Sequence, residues 1–296
     1  MIPSLTRRDF IKGASCAAMG LAMGLPSYAD DTVEEIVKSR VVLIRDKGAV
    51  KDDGGIDGAI IQQMLDQAMA TLFDKENAVD SWKQIIKATD VVGIKSNEWS
   101  NLPTTTQVEQ AIKRRVMDAG VAEENIGVDD RGVRDHPIFQ KATALINARP
   151  LRSHAWSGVG SLIKNPIMFD TDLPKYHPNS CADLGAIWSL PAVKGKVRLN
   201  VLVMLTPLFH GSGWHHFDPK YTWPYKGLIV STDPVAADST GVRIFQARRR
   251  EFFGEDRPIT PTPHHIVIAD RKFGLGNSDP AKIELVKLGW DEGVLI

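Results

Sequence analysis

Cysteine is almost absent from this sequence: of 296 residues, only Cys16 and Cys181 carry a thiol. Once the leader argued below is removed, Cys181 stands alone, and one thiol makes no intramolecular disulfide in an oxidising compartment. The same scarcity excludes a self-contained iron–sulfur cluster, which usually takes four thiolates, and a cysteine-rich structural zinc site. Cys181 itself reads first as a small buried apolar residue. An excess of one charge is also missing, since 36 Lys and Arg face 36 Asp and Glu. No basic footprint suited to nucleic acid is present, so no nucleic-acid partner is expected. Long apolar runs are lacking too: nothing beyond the leader approaches the roughly 20 apolar residues that cross a bilayer. The mature chain is therefore expected to have no membrane span and to be soluble.

What is present begins with the leader. Thr6-Arg7-Arg8-Asp9-Phe10-Ile11-Lys12 places an arginine pair before an aromatic and a closing lysine, and Gly13 to Leu25 is a short run rich in Ala, Met, Gly and Leu. Pro26-Ser27-Tyr28-Ala29 then supplies a helix breaker and small residues for cleavage. Residues 1–29 read as a twin-arginine signal peptide, with the twin-arginine export machinery as a partner and a periplasmic or otherwise exported location. Lipidation at Cys16 is not expected, because Gly13-Ala14-Ser15 lacks the large aliphatic residue such a site places upstream. Residues 30–296 then form a mature chain of 33 basic against 35 acidic residues, long enough for one large α/β domain or two lobes.

Strand and helix patterns alternate along that chain. Val41 to Ile44, Val91 to Ile94, Ile126 to Val128 and Gly227 to Val230 are apolar runs of strand length, and Lys196 to Leu205 is a longer one that alternates at first and is then apolar throughout. Ile60, Ile61, Met64, Leu65, Ala68, Met69 and Leu72 recur at helical spacing. Thr106 to Glu109 has capping-box spacing, and Gly120 is placed to end that helix. Asp233-Pro234 offers an N-cap and a proline for a helix reaching about residue 249. His265 to Phe273 fits a helix closed by Gly274 better than it fits a strand. Irregular chain is expected over 163–181, 206–225 and 258–263. These patterns predict an α/β fold in layers, with a largely parallel sheet and helices on both faces.

Ligands of open α/β sheets bind beyond the carboxyl ends of the strands. The residues there are polar: Arg45 and Asp46, then Lys95, Asn97 and Glu98, then Asp129, Asp130 and Arg131, then Thr206 and His210, and finally Asp233. Lys95 and Asn97 leave a buried strand directly and offer a point charge and an amide to an anion. Arg131 stands at the next strand end. His154 to Asn165 sets a histidine, several small residues and the pair Lys164-Asn165 in one stretch. Asp233 reads either as a ligand group or as a helix cap. His210 to Asp218 gathers His210, His215 and His216 around Gly211 and Gly213. Neutral imidazole suits a divalent transition metal, with His215 or His216 joining His210, and the alternative is a packing or surface loop. Gly158 and Gly160 do not complete a dinucleotide fingerprint, and Gly54-Gly55 lacks the lysine of a P-loop. No Gly-x-Ser-x-Gly elbow marks a serine hydrolase.

Four segments in order carry a resemblance: Val92 to Trp99 with its Ile-Lys-Ser-Asn core, His154 through Lys164-Asn165, Ser231 to Asp238 with Asp-Pro-Val-Ala-Ala-Asp, and Gly274-Leu275-Gly276. Together they resemble the bacterial and archaeal family called domain of unknown function 362. Ser96 stands where that family usually has proline. Some of its members carry ferredoxin-like cysteine clusters, which this chain lacks. The resemblance implies that Lys95, Asn97, His154, Lys164, Asn165, Asp233 and Asp238 belong to one site. Residues and resemblance lead to one expectation: a cofactor- or metal-dependent enzyme or redox protein acting on a small anionic ligand, with His154, Lys95 and Lys164 as its chemical groups. The alternative is a non-catalytic periplasmic binding or maturation factor for a metal, cofactor or partner protein.

Overall fold

Strands with apolar residues on both sides of the pleat must be covered twice, and that requirement organises this molecule. In the computed structural model, which describes residues 38–211 and 217–296, strand β1 (Ser39–Arg45) sends Val42 and Ile44 into one core and Val41 and Leu43 into another. Strand β7 (Gly227–Ser231) does likewise with Leu228 and Val230 against Ile229. The leader expected over residues 1–29, and His215 and His216, lie outside the described residues.

Between these strands come β2 (Val92–Lys95), β3 (Ile126–Asp129), β4 (Ala144–His154), β5 (Gly158–Gly160) and β6 (Val197–Leu208), and β8 (Ile283–Gly289) follows. The sheet order is β3-β2-β4-β6-β7-β1-β8, with β5 paired to the end of β4. Pairing is parallel at β2–β3, β2–β4, β4–β6 and β1–β8. β7 runs against both neighbours, and β5 runs against β4. The fold is thus an α/β fold on a mixed, mostly parallel sheet. The described residues fall in one unit, so the two-lobed alternative is not taken up.

Helices α1 (Gly58–Leu72), α2 (Ala78–Ile85) and α3 (Thr106–Asp118) cover one face. On α1 the buried residues Ile61, Met64, Leu65, Ala68, Met69 and Leu72 form the stripe expected of an amphipathic helix, and Asp57 caps it by accepting from the N–H groups of Ala59 and Ile60. The capping box expected at Thr106 does not form. Thr105 is the N-cap without a side-chain bond, and the Glu109 carboxylate accepts from Ser96 Oγ instead. A short helix α4 (Pro137–Lys141) adds Phe139 to a small cluster with Leu145. The second face carries α5 (Pro234–Phe253), ending at Gly254 in the left-handed region, and α6 (His264–Arg271). No helix among the described residues is long and apolar enough to cross a membrane.

The order of connections sets the position of the site. From β2 the chain steps outward to β3 at the sheet's edge, then returns to the other side of β2 to make β4. The connection leaving β2 runs to one side and that leaving β4, toward β6, runs to the other, and such a reversal opens a crevice at the carboxyl ends of β2 and β4.

Candidate functional site

A cleft of about 510 Å³ occupies that crevice. Asn97 enters it from the chain after β2, Asp130 and Arg131 from the end of β3, and Arg149, Arg152 and His154 from β4. Lys164 and Asn165 come from the chain after β5, while Trp99, Trp156 and His177 form polar-edged aromatic walls. Strand β4 is the source of its charge. Leu145, Asn147 and Arg149 share one face of the pleat, opposite Ala144, Ile146 and Ala148, which feed the first core. Pro150 cannot donate to a ladder, and the register of β4 with β6 shifts just beyond it.

Glycines let β5 fold over this face. At Gly158, with φ +75°, a side chain would run into the carbonyl oxygen of Pro261. A Cβ at Gly160 would lie 2.9 Å from Arg149 Nη2 and 3.5 Å from Arg152 Cζ, so both guanidiniums lie against bare backbone.

Arg149 is 4% exposed, Arg152 7% and Lys164 4%, yet none has a carboxylate partner among the described residues. The Nε atoms of both arginines are buried without an acceptor. Arg152 stacks over the Trp99 ring at 4.2 Å, and Trp99 meets Phe217 edge-on at 5.9 Å. Burial holds Arg149 down to about 10, against the opposing pull of Asp130 and Asp238. It holds Arg152 down to about 9, with help from the charge of Arg149. Burial likewise lowers Lys164 to about 8; Cys181 opposes the shift, and Arg149 and Arg152 add to it. His154 falls to about 2 because it is desolvated and faces Lys164, Arg152 and Arg149. Its Nδ1 accepts from the Trp156 N–H at 3.2 Å, so the proton of the neutral ring sits on Nε2.

The remaining sequence-picked residues separate into those that line the cleft and those that hold it. Lys95 is buried and does not line the cleft: its Nζ donates to Asp130 and, at 2.8 Å, to the Ser96 carbonyl, so it serves as the fixed partner of a cleft carboxylate. Asn165 Nδ2 donates to Asn147 Oδ1 at 2.8 Å and to the Lys95 carbonyl at 3.1 Å, tying its loop to β2 and β4. Asp238 is not among the residues that line the cleft: its carboxylate accepts from Ser161 Oγ at 2.6 Å, Leu162 N at 3.0 Å and Ile163 N at 2.9 Å. It positions the chain that presents Lys164. Asp233 likewise lies outside the cleft lining and caps its helix, one of the two roles read for it from the sequence. Its carboxylate accepts from Val235 N and Ala236 N, and also from Ser39 Oγ and Asn277 N, away from the cleft. Gly276 packs against that carboxylate so closely that a side chain there would collide with it.

His210 lies apart from the cleft lining. Its Nδ1 accepts from Arg249 Nη1 at 2.8 Å, which puts the proton of the neutral ring on Nε2, and its ring meets Tyr221 and Phe253 edge-on. Cys181 is fully buried, as expected. Asp130, one of the polar strand-end residues, also lines the cleft, and Arg149, Arg152, Trp99, Trp156 and His177, which complete it, were not picked as site residues from the sequence. The two arginines sit on a strand whose apolar run is broken by Asn147, Arg149, Pro150 and Arg152. The alternation of Ala144, Ile146 and Ala148 is the signal that marks it. Comparison with models of known protein families, with curated proteins and with solved structures finds no match for this chain.

Behind the cleft, His265 of α6 is fully buried and neither ring nitrogen has a partner among the described residues. Burial, then the charges of Lys164 and Arg149, push it down to about 3. An unfolded histidine titrates near 6.5. The stability this group supports is therefore present above about pH 6.5 and is lost as pH falls toward 3. His265→Phe is expected to flatten the acid limb of stability by on the order of 1.4 kcal/mol per pH unit in that window. Urea unfolding of both proteins at pH 7 and pH 5 checks it; parallel losses would show that the ring finds a partner when protonated.

Proposed function

We propose that the chain is an enzyme acting on a small anionic ligand held in the cleft by Arg149 and Arg152, with Lys164 and His154 as its chemical groups. One observation carries this reading: two buried guanidiniums and a buried ammonium converge on one cleft with no carboxylate partner among the described residues. Desolvated charges are costly unless paired. A carboxylate or phosphate entering the cleft would supply that pairing through charge-assisted, bidentate hydrogen bonds. His154 supports a role beyond binding, since its Nε2–H is a donor in the same cleft and an incoming anion raises its basicity. The expected leader places this activity outside the cytoplasm, and a binding factor without catalysis is the reading that remains if no turnover is found.

Thermal unfolding with phosphate, pyrophosphate and simple carboxylates, at constant ionic strength, tests the proposal. A ligand at about 100 times its Kd adds about 2.7 kcal/mol, and each kcal/mol is worth about 2–4 °C in a protein of this size. Stabilisation is expected to grow with ligand charge and to weaken as pH rises through about 8, where Lys164 loses its proton. Indifference to every anion in the series would overturn the reading.

A further inference from the structure

We infer that Lys164 is a covalent catalyst, condensing through Nζ with the carbonyl carbon of a 2-oxo carboxylate whose carboxylate group is bound by Arg149 and Arg152. The inference rests on the anion-cleft reading and names its substrate class. Two buried lysines in this molecule have opposite surroundings. Lys95 is held outside the cleft lining with its Nζ bonded to Asp130 and the Ser96 carbonyl, so although burial lowers it to about 8 against the pull of Asp130, its nitrogen is engaged and does not face a ligand. Lys164 has no acid partner among the described residues; its polar contact is Cys181 Sγ at 3.9 Å, and its charged neighbours Arg149 and Arg152 are of its own sign. A desolvated amine facing fixed cations favours its neutral, nucleophilic form, and its titration near 8 agrees with this.

The setting suits the reaction in three further respects. The loop is rigid, because Asp238 holds 161–163 and Asn165 is bound to β2 and β4, so the amine has a fixed origin. The arginines orient a carboxylate in the same cleft, leaving Ile167, Met168 and Leu173 as an apolar wall for the rest of the molecule. His154 offers Nε2–H to the oxygen of the former carbonyl.

In the step itself the neutral amine's lone pair forms a C–N bond with the carbonyl carbon. The C=O π pair moves to oxygen, which gains a proton as nitrogen loses one. The carbinolamine then takes one further proton on its hydroxyl and expels water, giving a protonated imine. One amine, one carbonyl and one proton become one iminium and one water, with no oxidant or reductant.

The test uses the full chain, with pyruvate as the probe and sodium cyanoborohydride to trap the imine as a carboxyethyl-lysine, located by peptide mapping. Labelling is expected at Lys164 at least about tenfold above any exposed lysine, since its neutral fraction at neutral pH exceeds that of an ordinary lysine by roughly a hundredfold. Phosphate is expected to compete, and Lys164→Arg to abolish the label. Pyruvate stabilisation with labelling spread evenly over surface lysines would overturn the covalent role and leave the anion site standing. Absence of the label together with indifference to pyruvate and to every anion of the series would remove the two together. The mapping of wild-type protein needs no variant to fold.

Discussion

Arg149→Met is expected to raise the melting temperature of the ligand-free protein while abolishing its response to phosphate. The guanidinium lies on the inner face of β4, opposite Leu202 of β6 and against the backbone of Gly160, with no acceptor for Nε. Methionine fills a similar space without the desolvated charge. Replacing buried ionic groups by apolar ones of like volume is commonly neutral or stabilising by about 1–4 kcal/mol, or about 2–4 °C for each kcal/mol in a chain this long. Binding moves the other way, because losing one member of a charge-assisted pair costs about 2–5 kcal/mol, which is a roughly thirtyfold or greater rise in Kd. Lys164 and His154 are both depressed by Arg149, so both are expected to titrate higher in the variant. Arg152→Met gains less stability, since it also gives up the stack on Trp99. A marked destabilisation by Arg149→Met, read by calorimetry, would mean that the guanidinium is internally satisfied, and the anion reading would lose its basis.

Asp238→Ala is expected to be the most damaging single change near the site. It strands the Ser161 hydroxyl and the N–H groups of Leu162 and Ile163 in the interior. Each buried donor left unsatisfied costs about 1–3 kcal/mol, so a loss of about 3 kcal/mol or more is expected in urea unfolding. Imine trapping at Lys164 is expected to fall with it, because the loop that aims Lys164 loses its anchor. Asp238→Asn separates charge from hydrogen bonding. Burial raises this carboxyl to about 6, above the unfolded value near 3.9, and the donors from Ser161, Ile163 and Leu162 only partly offset the shift. A raised pKa means that its share of stability is complete below about pH 4 and is lost as pH rises through 6. The deficit of Asp238→Asn relative to wild type is therefore expected to shrink from pH 4 to pH 6. A deficit that is flat or widening across that window would show that the carboxylate is ionised in the fold well below 6.

Much of the scaffold was legible because its signals are local. Val41 to Ile44 announces a strand by unbroken apolar character and Lys196 to Leu205 by alternation that gives way to an apolar run, Ile60 to Leu72 announces a helix by its stripe, and Asp233-Pro234 announces a helix start. Some local signals lost to tertiary partners. Glu109 turned from its own helix's end to Ser96, where a β2–α3 contact was on offer. The strand-end rule led to Asn97, Asp130 and Arg131, and the composition of the His154–Asn165 stretch led to His154, Lys164 and Asn165, all of which line the cleft. The strand-end rule also led to Asp233, where the helix cap and the contacts from Ser39 and Asn277 use the carboxylate fully.

Sequence alone determined the α/β class, the near-neutral charge and the scarcity of thiols, because composition and short-range periodicity are properties of adjacent residues. Only the tertiary structure decided that Arg149 and Arg152 would be the cleft's cations. Their strand hides its alternation behind Asn147 and Pro150, and it becomes a central strand only when β2 and β6 pair on either side of it. The unpaired state of Lys164 is also a tertiary fact. Asp130, 34 positions away, is taken by Lys95, and Asp238, 74 positions away, is turned toward backbone N–H groups. Which cation receives a carboxylate and which is left for a ligand depends on distances between segments remote in the chain, and no local pattern encodes those distances.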